Sequence, residues 1–190
     1  GADKVSINTA AINNPDFINE ASRTFGSSTI VLAIEAIRQA DGSYLAYTDN
    51  GREFTNLKVL NWCSEVEDRG AGEILLTSID QEGTGNGFDI ELIRKVSSQV
   101  SVPVIAHGGA GNINHIIESI NTGNADAVSI ASMLHYAIIN SNGIFTEEFH
   151  DEGNIEFLSK NNSYKVFGTE NLINIKSGLV KEGIPLRVLE

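Results

Sequence analysis

The sequence predicts an α/β fold of parallel strands that alternate with helices, and two observations carry this prediction. Short apolar runs alternate with amphipathic segments along the 190 residues, a pattern typical of strands joined by right-handed helical crossovers. In addition, residues 2–7 (ADKVSI) recur as residues 125–130 (ADAVSI), 123 positions later. A (β/α)₈ TIM barrel takes about 250 residues, so the repeat spans about half a barrel. We therefore expect strands four to eight of such a barrel, with half-barrel internal duplication.

The strands are predicted from apolar runs rich in branched side chains, as in strands that are covered on both faces. Three such runs lie between the two copies of the repeat, which places the copies four strands apart on the ring. A doubly wound open sheet is the alternative, because it explains the alternation but not the half-barrel period. The predicted strands are residues 2–8, 29–35, 73–79, 102–106 and 127–130.

The helices are predicted from amphipathic spacing and from end signals. Asn14 is a candidate cap before Pro15, which suits a first helical position, and Gly26 is a stop signal. Asp41-Gly42 predicts a small hairpin before residues 44–47. The predicted helices are residues 14–25, 57–69, 89–98, 112–121 and 169–181.

Composition narrows the classes of function. A net charge of −12 argues against binding to nucleic acid or to an anionic membrane surface. The single cysteine, Cys63, excludes an intramolecular disulfide and fits a reducing cytoplasm. His115, His135 and His150 lack the spacing of metal ligands, so we expect no metal site, and we expect no cofactor.

The chain starts at Gly1, and its only methionine is Met133. We expect residues 1–190 to be the C-terminal portion of a single barrel, with a polar insertion at about residues 138–168. Barrel strands left unpaired at two edges would favour self-association. We therefore expect this portion alone to be inactive.

In a barrel of this kind, chemistry lies on the loops that follow the strands. The loop 107–111 (HGGAG) lies between a strand and a helix, where glycines let a ligand approach backbone N–H groups. The loop 130–132 repeats that arrangement, and these two loops together predict a phosphate site. Asn8 and Thr9, in the first copy of the repeat, predict half of a second site opposite. Two facing phosphate sites indicate a bisphosphorylated ligand.

Candidate catalytic groups end the strands. Glu35 closes an apolar strand and could serve as a general acid or base, or be a solvated strand end. Thr77 is expected to point toward the barrel mouth as a hydrogen-bond donor. His107 could contact the substrate or only bond to the backbone. Asp80 and Glu82 could orient a substrate or cap a turn.

Four segments resemble a known family: GADKVSINTAAINNP, RGAGEILLTSIDQEGTGNGFD, VPVIAHGGAG and ADAVSIASMLHY. They are similar to the cyclase subunit of imidazole glycerol phosphate synthase, an enzyme of histidine biosynthesis. The resemblance implies a (β/α)₈ enzyme that receives ammonia from a glutaminase partner. Such an enzyme cleaves and cyclises a bisphosphate ribulosyl imidazolecarboxamide, giving imidazole glycerol phosphate and an aminoimidazole carboxamide ribotide.

The resemblance also assigns roles to residues. One catalytic aspartate of the family falls on Glu35. One phosphate site falls on Asn8 and Thr9. The other phosphate site falls on the second half of the chain, at Glu82, Gly83, Gly108, Gly109, Ala131 and Ser132. Two of the charged residues at the ammonia entrance, which we call the ammonia gate, fall on Lys4 and Glu73, although a surface ion pair is the simpler alternative.

Three positions depart from the family pattern. Glu35 and Glu82 stand where the family has aspartates, and His107 stands where it usually has a serine. These departures, with the insertion, favour a paralogue that works with an amidotransferase to form acetamidino groups on surface sugars, whereas the density of family motifs favours the cyclase itself, which we keep as the first interpretation. A non-catalytic scaffold subunit is the third possibility.

Overall fold

The computed structural model describes residues 1–142 and 170–186. Most of the insertion predicted at about residues 138–168 therefore lies outside the described residues, as does Thr169 at the predicted start of the last helix. Within the described part, no helix combines the length and the apolar character that crossing a bilayer requires.

Among residues 1–142 and 170–186, seven strands form one sheet. Their bounds are β1 (Val5–Ile7), β2 (Ile30–Arg38), β3 (Tyr44–Thr48), β4 (Glu53–Lys58), β5 (Glu73–Ser78), β6 (Val104–His107) and β7 (Ala127–Ser129). Each of the five predicted strand regions contains a strand, and the predicted hairpin at Asp41-Gly42 joins β2 to β3.

The order of the parallel strands distinguishes the two predicted architectures. β1, β2, β5, β6 and β7 pair in parallel, each with the next parallel strand along the chain. A doubly wound sheet would reverse direction at a switch point, whereas this order runs one way, as it does around a barrel. The architecture is therefore that of a partial (β/α)₈ barrel, with the antiparallel β3–β4 hairpin added to the edge of β2.

Helices connect the parallel strands. Their bounds are α1 (Thr9–Asn13), α2 (Asp16–Phe25), α3 (Val59–Asp68), α4 (Ile90–Ser97), α5 (Ile113–Asn121), α6 (Ser132–Asn142) and α7 (Leu172–Lys181). Side-chain caps begin three of them, because Asp89, Asn112 and Asn171 accept backbone N–H groups of α4, α5 and α7. These caps satisfy donors that a helix leaves open at its first turn.

Two sequence predictions need correction at element ends. Asn14 does not cap α2 with its side chain; it ends the short helix α1, which the sequence analysis did not predict, and α2 begins at Asp16. The helix predicted from Leu57 begins at Val59, because Leu57 and Lys58 end strand β4. The final helix is capped by Asn171 and begins at Leu172.

The two faces of the sheet differ in burial. On β2, alternate residues at positions 30, 32, 34 and 36 are completely buried and join a core with residues of α2 and α3. Trp62 and Cys63 of α3 lie in this core. The opposite face of β2 carries Glu35 and is only partly covered. This more open face is the one available to a ligand.

Cys63 gives a test of this core. Burial raises the pKa of its thiol to about 12, so at pH 8 the reactive thiolate is depleted by about a thousandfold relative to an exposed cysteine. We expect dithiobis-nitrobenzoate to label native Cys63 at least that much more slowly than the urea-unfolded chain. Labelling as fast as that of glutathione would contradict the packing described here.

Candidate active site

A single row of residues crosses the open face of the sheet. In the strand registers Glu35 is opposite Thr77, Thr77 is opposite His107, and His107 is opposite Ser129. Opposed residues of paired strands lie on the same face, about 5 Å apart between neighbouring strands. The three candidate catalytic residues of the sequence analysis are therefore neighbours in space, although they come from three separate strands.

Two members of this row are bonded to each other. The Thr77 hydroxyl lies 3.1 Å from Nδ1 of His107. Thr77 is buried and His107 is half-buried, so the bond restricts the rotation of a ring that still reaches solvent. A hydroxyl that donates to Nδ1 leaves the ring proton on Nε2. In that tautomer, His107 has a donor to offer a ligand.

The first member of the row is bonded to the hairpin. Oε2 of Glu35 accepts a hydrogen bond from the backbone N–H of Gly51 at 2.8 Å. Gly51 lies in the turn between β3 and β4. Glu35 is half-buried, so its carboxylate is both oriented by the protein and accessible from the open face.

A small cavity of about 40 Å³ lies next to the row, at the ends of β5, β6 and β7. The loop after β5, the loop after β6 and the first residue of α6 surround it. Its lining includes every residue assigned to the second phosphate site: Glu82, Gly83, Gly108, Gly109, Ala131 and Ser132. The structure thus brings this predicted set together, with His107 in the same lining.

Steric crowding explains why a glycine is required in the loop that lines this cavity. Gly109 has a φ of +106°, and a Cβ atom there would lie 2.0 Å from the carbonyl oxygen of Gly87. The two backbones are bonded, because Gly87 N–H donates to the Gly109 carbonyl at 2.8 Å. Only glycine permits this approach. The loop after β6 is therefore packed directly on the loop that follows β5.

The first predicted phosphate site lies elsewhere. Asn8 follows β1, and its Nδ2 donates to the carbonyl of Tyr47 at 3.2 Å, while its buried Oδ1 has no hydrogen-bond partner among the residues that the structure describes. Thr9 is exposed and lines a separate groove of about 450 Å³ between α1 and the β3–β4 hairpin. These two residues are adjacent to each other but not to the cavity, so the phosphate site assigned to Asn8 and Thr9 stays a prediction.

Lys4 and Glu73 form an ion pair at the opposite end of the strands. Glu73 is opposite Val31 in the register, four residues before Glu35 on β2. At about 3.3 Å per residue, the pair lies about 13 Å along the same face from the row of Glu35, Thr77 and His107. Lys4 is half-exposed and Glu73 is largely covered, so the pair stands at the surface of the sheet's N-terminal end.

Several structural contacts of the site were not predicted. Tyr44 of β3 donates its hydroxyl to Asp89 at 2.9 Å, and burial together with this bond raises the pKa of Tyr44. Oδ2 of Asp80 accepts from the backbone N–H of Arg38 at 2.7 Å, a bond to the end of β2 and not to its own turn. A sequence pattern shows the residue types but not these long-range partners.

Comparisons with known proteins show which family the chain belongs to. A family model described as "Histidine biosynthesis protein" matches residues 1–140. Two curated relatives are named imidazole glycerol phosphate synthase subunit HisF, from Trichormus variabilis and from Nostoc sp.. Each is 51% identical over 139 residues, which is 72% of this chain and 54% of the relative. The chain spans about half the length of these relatives. The match of the family model over most of the described residues shows that this chain belongs to the histidine biosynthesis protein family.

Proposed function

We propose that the complete chain carrying these residues is the ammonia-dependent cyclase of imidazole glycerol phosphate synthase. The reaction would convert a bisphosphate ribulosyl imidazolecarboxamide into imidazole glycerol phosphate and an aminoimidazole carboxamide ribotide. The observation that carries the proposal is the placement of Glu35, Thr77 and His107 in one row beside a cavity lined by glycine loops. The names of the relatives supply the reaction.

One phosphate of the substrate would bind in the cavity. The backbone N–H groups of the loop after β6 and the positive end of α6 stabilise an anion there. The side chain of Glu82 lines the same cavity, so the attraction has to come from the backbone and from His107. Asn8 and Thr9 would hold the second phosphate across the sheet, which would stretch the ligand over the catalytic row.

Glu35 would move the proton during cleavage and cyclisation. Its carboxylate is oriented by Gly51 and remains accessible, as a general acid or base requires. His107 would donate a hydrogen bond from Nε2 to substrate atoms that become negative in the reaction, and Thr77, bonded to Nδ1, would hold the ring in that orientation. Proton transfer depends on positions within about an ångström, so the longer side chain of Glu35 makes its orientation critical.

Ammonia would arrive from a glutaminase partner at the N-terminal end of the strands. The pair of Lys4 and Glu73 stands there, on the face that leads to Glu35. Charged groups at this end of a barrel otherwise serve stability. The position of this pair supports its assignment as part of the ammonia gate.

A second candidate function is the formation of acetamidino groups on surface sugars by a cyclase-like partner of an amidotransferase. The observation that favours it is His107, which lies in the row and lines the cavity. An imidazole there changes both the size of the pocket and the position of its hydrogen-bond donor relative to a serine. The two functions share the ammonia supply and differ in the substrate that the cavity admits.

The Glu35→Gln variant tests the cyclase. The amide keeps the shape of the side chain but cannot exchange a proton, so we expect kcat with ammonium salt to fall by at least about a hundredfold. Product formation from the bisphosphate substrate is the measurement, and Glu20→Gln, an exposed change on α2, is the control. Unchanged turnover in Glu35→Gln would remove Glu35 from the mechanism.

Gly109→Ala tests the phosphate cavity. The added methyl group would meet the Gly87 carbonyl and separate the two loops, so we expect the Kd for imidazole glycerol phosphate to rise by more than tenfold. Calorimetric titration measures it. Gly42→Ala is the matched control, because Gly42 also has a positive φ but nothing near its missing Cβ. Equal affinity in both variants would place the phosphate elsewhere.

Lys4→Ala tests the gate. With the glutaminase partner present, we expect glutamine-dependent turnover to fall several-fold while turnover with ammonium salt stays unchanged, because free ammonia can also enter from the open end of the strands. The ratio of the two rates is the measurement. An equal loss with both nitrogen sources would indicate that the ion pair only stabilises the sheet.

A further inference from the structure

We propose that Gly51 is the positioning residue of Glu35: the turn between β3 and β4 brings one backbone N–H group to the carboxylate and fixes its orientation. This inference rests on the proposed role of Glu35 as the acid or base. It also assigns a purpose to the β3–β4 hairpin, which is not one of the parallel strands of the barrel.

The turn is built to present that N–H group. Asp49, Asn50 and Gly51 have φ values of 54°, 56° and 76°, so three successive residues adopt left-handed conformations. Asn and Asp tolerate this region better than other side chains do, and Gly adopts it freely. The turn is closed by a bond of 3.1 Å from the Arg52 N–H to the Thr48 carbonyl. The direction of the Gly51 N–H group is thus set by the backbone of the turn.

A second contact fixes the height of the turn above the sheet. A Cβ atom on Gly51 would lie 2.8 Å from Cγ2 of Ile79. Ile79 follows β5 directly, and its N–H donates to the carbonyl of Ala36 on β2. The turn therefore rests on a residue that is itself bonded to the strand of Glu35. Only a residue without a side chain allows the turn to come this close.

The rest of the hairpin is anchored on both sides of the catalytic row. Tyr44, at its start, donates to Asp89, which ends the loop that follows β5 and caps α4. Tyr47, near the turn, accepts from Asn8 after β1. The hairpin is thus bonded to the element next to each predicted phosphate site, which ties the position of Gly51 to the two ends of the ligand.

The hydrogen bond from Gly51 reduces the number of rotamers that the Glu35 side chain can adopt. A glutamate has three side-chain torsions, and burial of one face alone does not select a single rotamer. The bond from Gly51 uses Oε2, and in the part of the chain that the structure describes no bond is recorded for Oε1. One oxygen is therefore held by the hairpin, and the other is available to exchange a proton with the substrate.

A spectroscopic experiment tests the contact without any turnover. The amide proton of Gly51 is followed by ¹H–¹⁵N NMR in the complete chain and in its Glu35→Gln variant. An N–H group bonded to a carboxylate resonates downfield of one bonded to a neutral amide, so we expect the Gly51 signal to move upfield in the variant. The Gly42 amide, at the tip of the other hairpin, is the internal control and should not move. A Gly51 signal that stays in place overturns the proposal.

A kinetic experiment tests the positioning. In Gly51→Ala the methyl group would displace the turn, and we expect kcat with ammonium salt to fall by about tenfold to a hundredfold, the range of one charge-assisted hydrogen bond. KM should change little, because the phosphate loops are untouched. Gly42→Ala introduces a similar backbone strain in open space and should keep kcat within about twofold.

Rescue distinguishes positioning from general damage. Adding Ile79→Ala to Gly51→Ala removes the side chain that the new methyl group meets, so we expect part of the lost kcat to return. No return, together with a full return of thermal stability, overturns the positioning role. If the wild-type chain shows no turnover while the Gly51 signal responds to Glu35→Gln, then the proposed function fails and the contact stands.

Discussion

The parallel pairing of β2 with β5 is the constraint on which the site depends. The register holds over six residue pairs, from Val31 opposite Glu73 to Ala36 opposite Ser78. Side chains alternate between the faces of a strand, so a slip of one residue would turn Glu35 into the helical layer and Ile34 out of it. The cost of burying a carboxylate and exposing an isoleucine excludes that slip. The hydrophobic pattern of β2 therefore determines where the row of Glu35, Thr77 and His107 lies.

The same alternation explains why charged groups occur at both ends of one face. The helical side of β2 is completely buried and tolerates only apolar residues. The open side carries Glu35 at one end and, through its neighbour β5, Glu73 at the other. Both carboxylates have a partner: a backbone N–H group for Glu35 and an ammonium group for Glu73. The charged groups of this face thus occupy positions that the core does not need.

The parallel strands were predictable, and the hairpin was predictable only in part. Strands covered on both faces are continuous apolar runs, which the sequence shows directly. The sequence of β4 has no such apolar run. The strand itself is irregular, because its pairing with β3 shifts register and Asn56 has a positive φ of 60°. The predicted helix therefore included Leu57 and Lys58, which are the last two residues of β4. The turn Asp49-Asn50-Gly51 carries residue types of a left-handed turn, yet the strand beyond it gave no pattern to pair with β3.

In the candidate site, too, some features are predictable from the sequence and others are not. Glycine loops and a carboxylate after a strand can be read from sequence, because their residue types are special. The Gly51 contact to Glu35 uses a backbone atom 16 residues away, and the Tyr44 contact to Asp89 joins residues 45 positions apart. Partners of this kind depend on how the hairpin packs, and the residue types that make them are compatible with many other arrangements.

Backbone dipoles also explain how an acidic chain can offer an anion site. The net charge is −12, and none of the residues lining the cavity is lysine or arginine. Charges farther away than about 8 Å are screened at physiological ionic strength, so the local groups dominate. Here those groups are the N–H donors of two glycine loops, the N-terminus of α6 and the imidazole of His107. In a site of this composition, the proposed phosphate would be held through short, directed hydrogen bonds, and discrimination would depend on shape more than on charge.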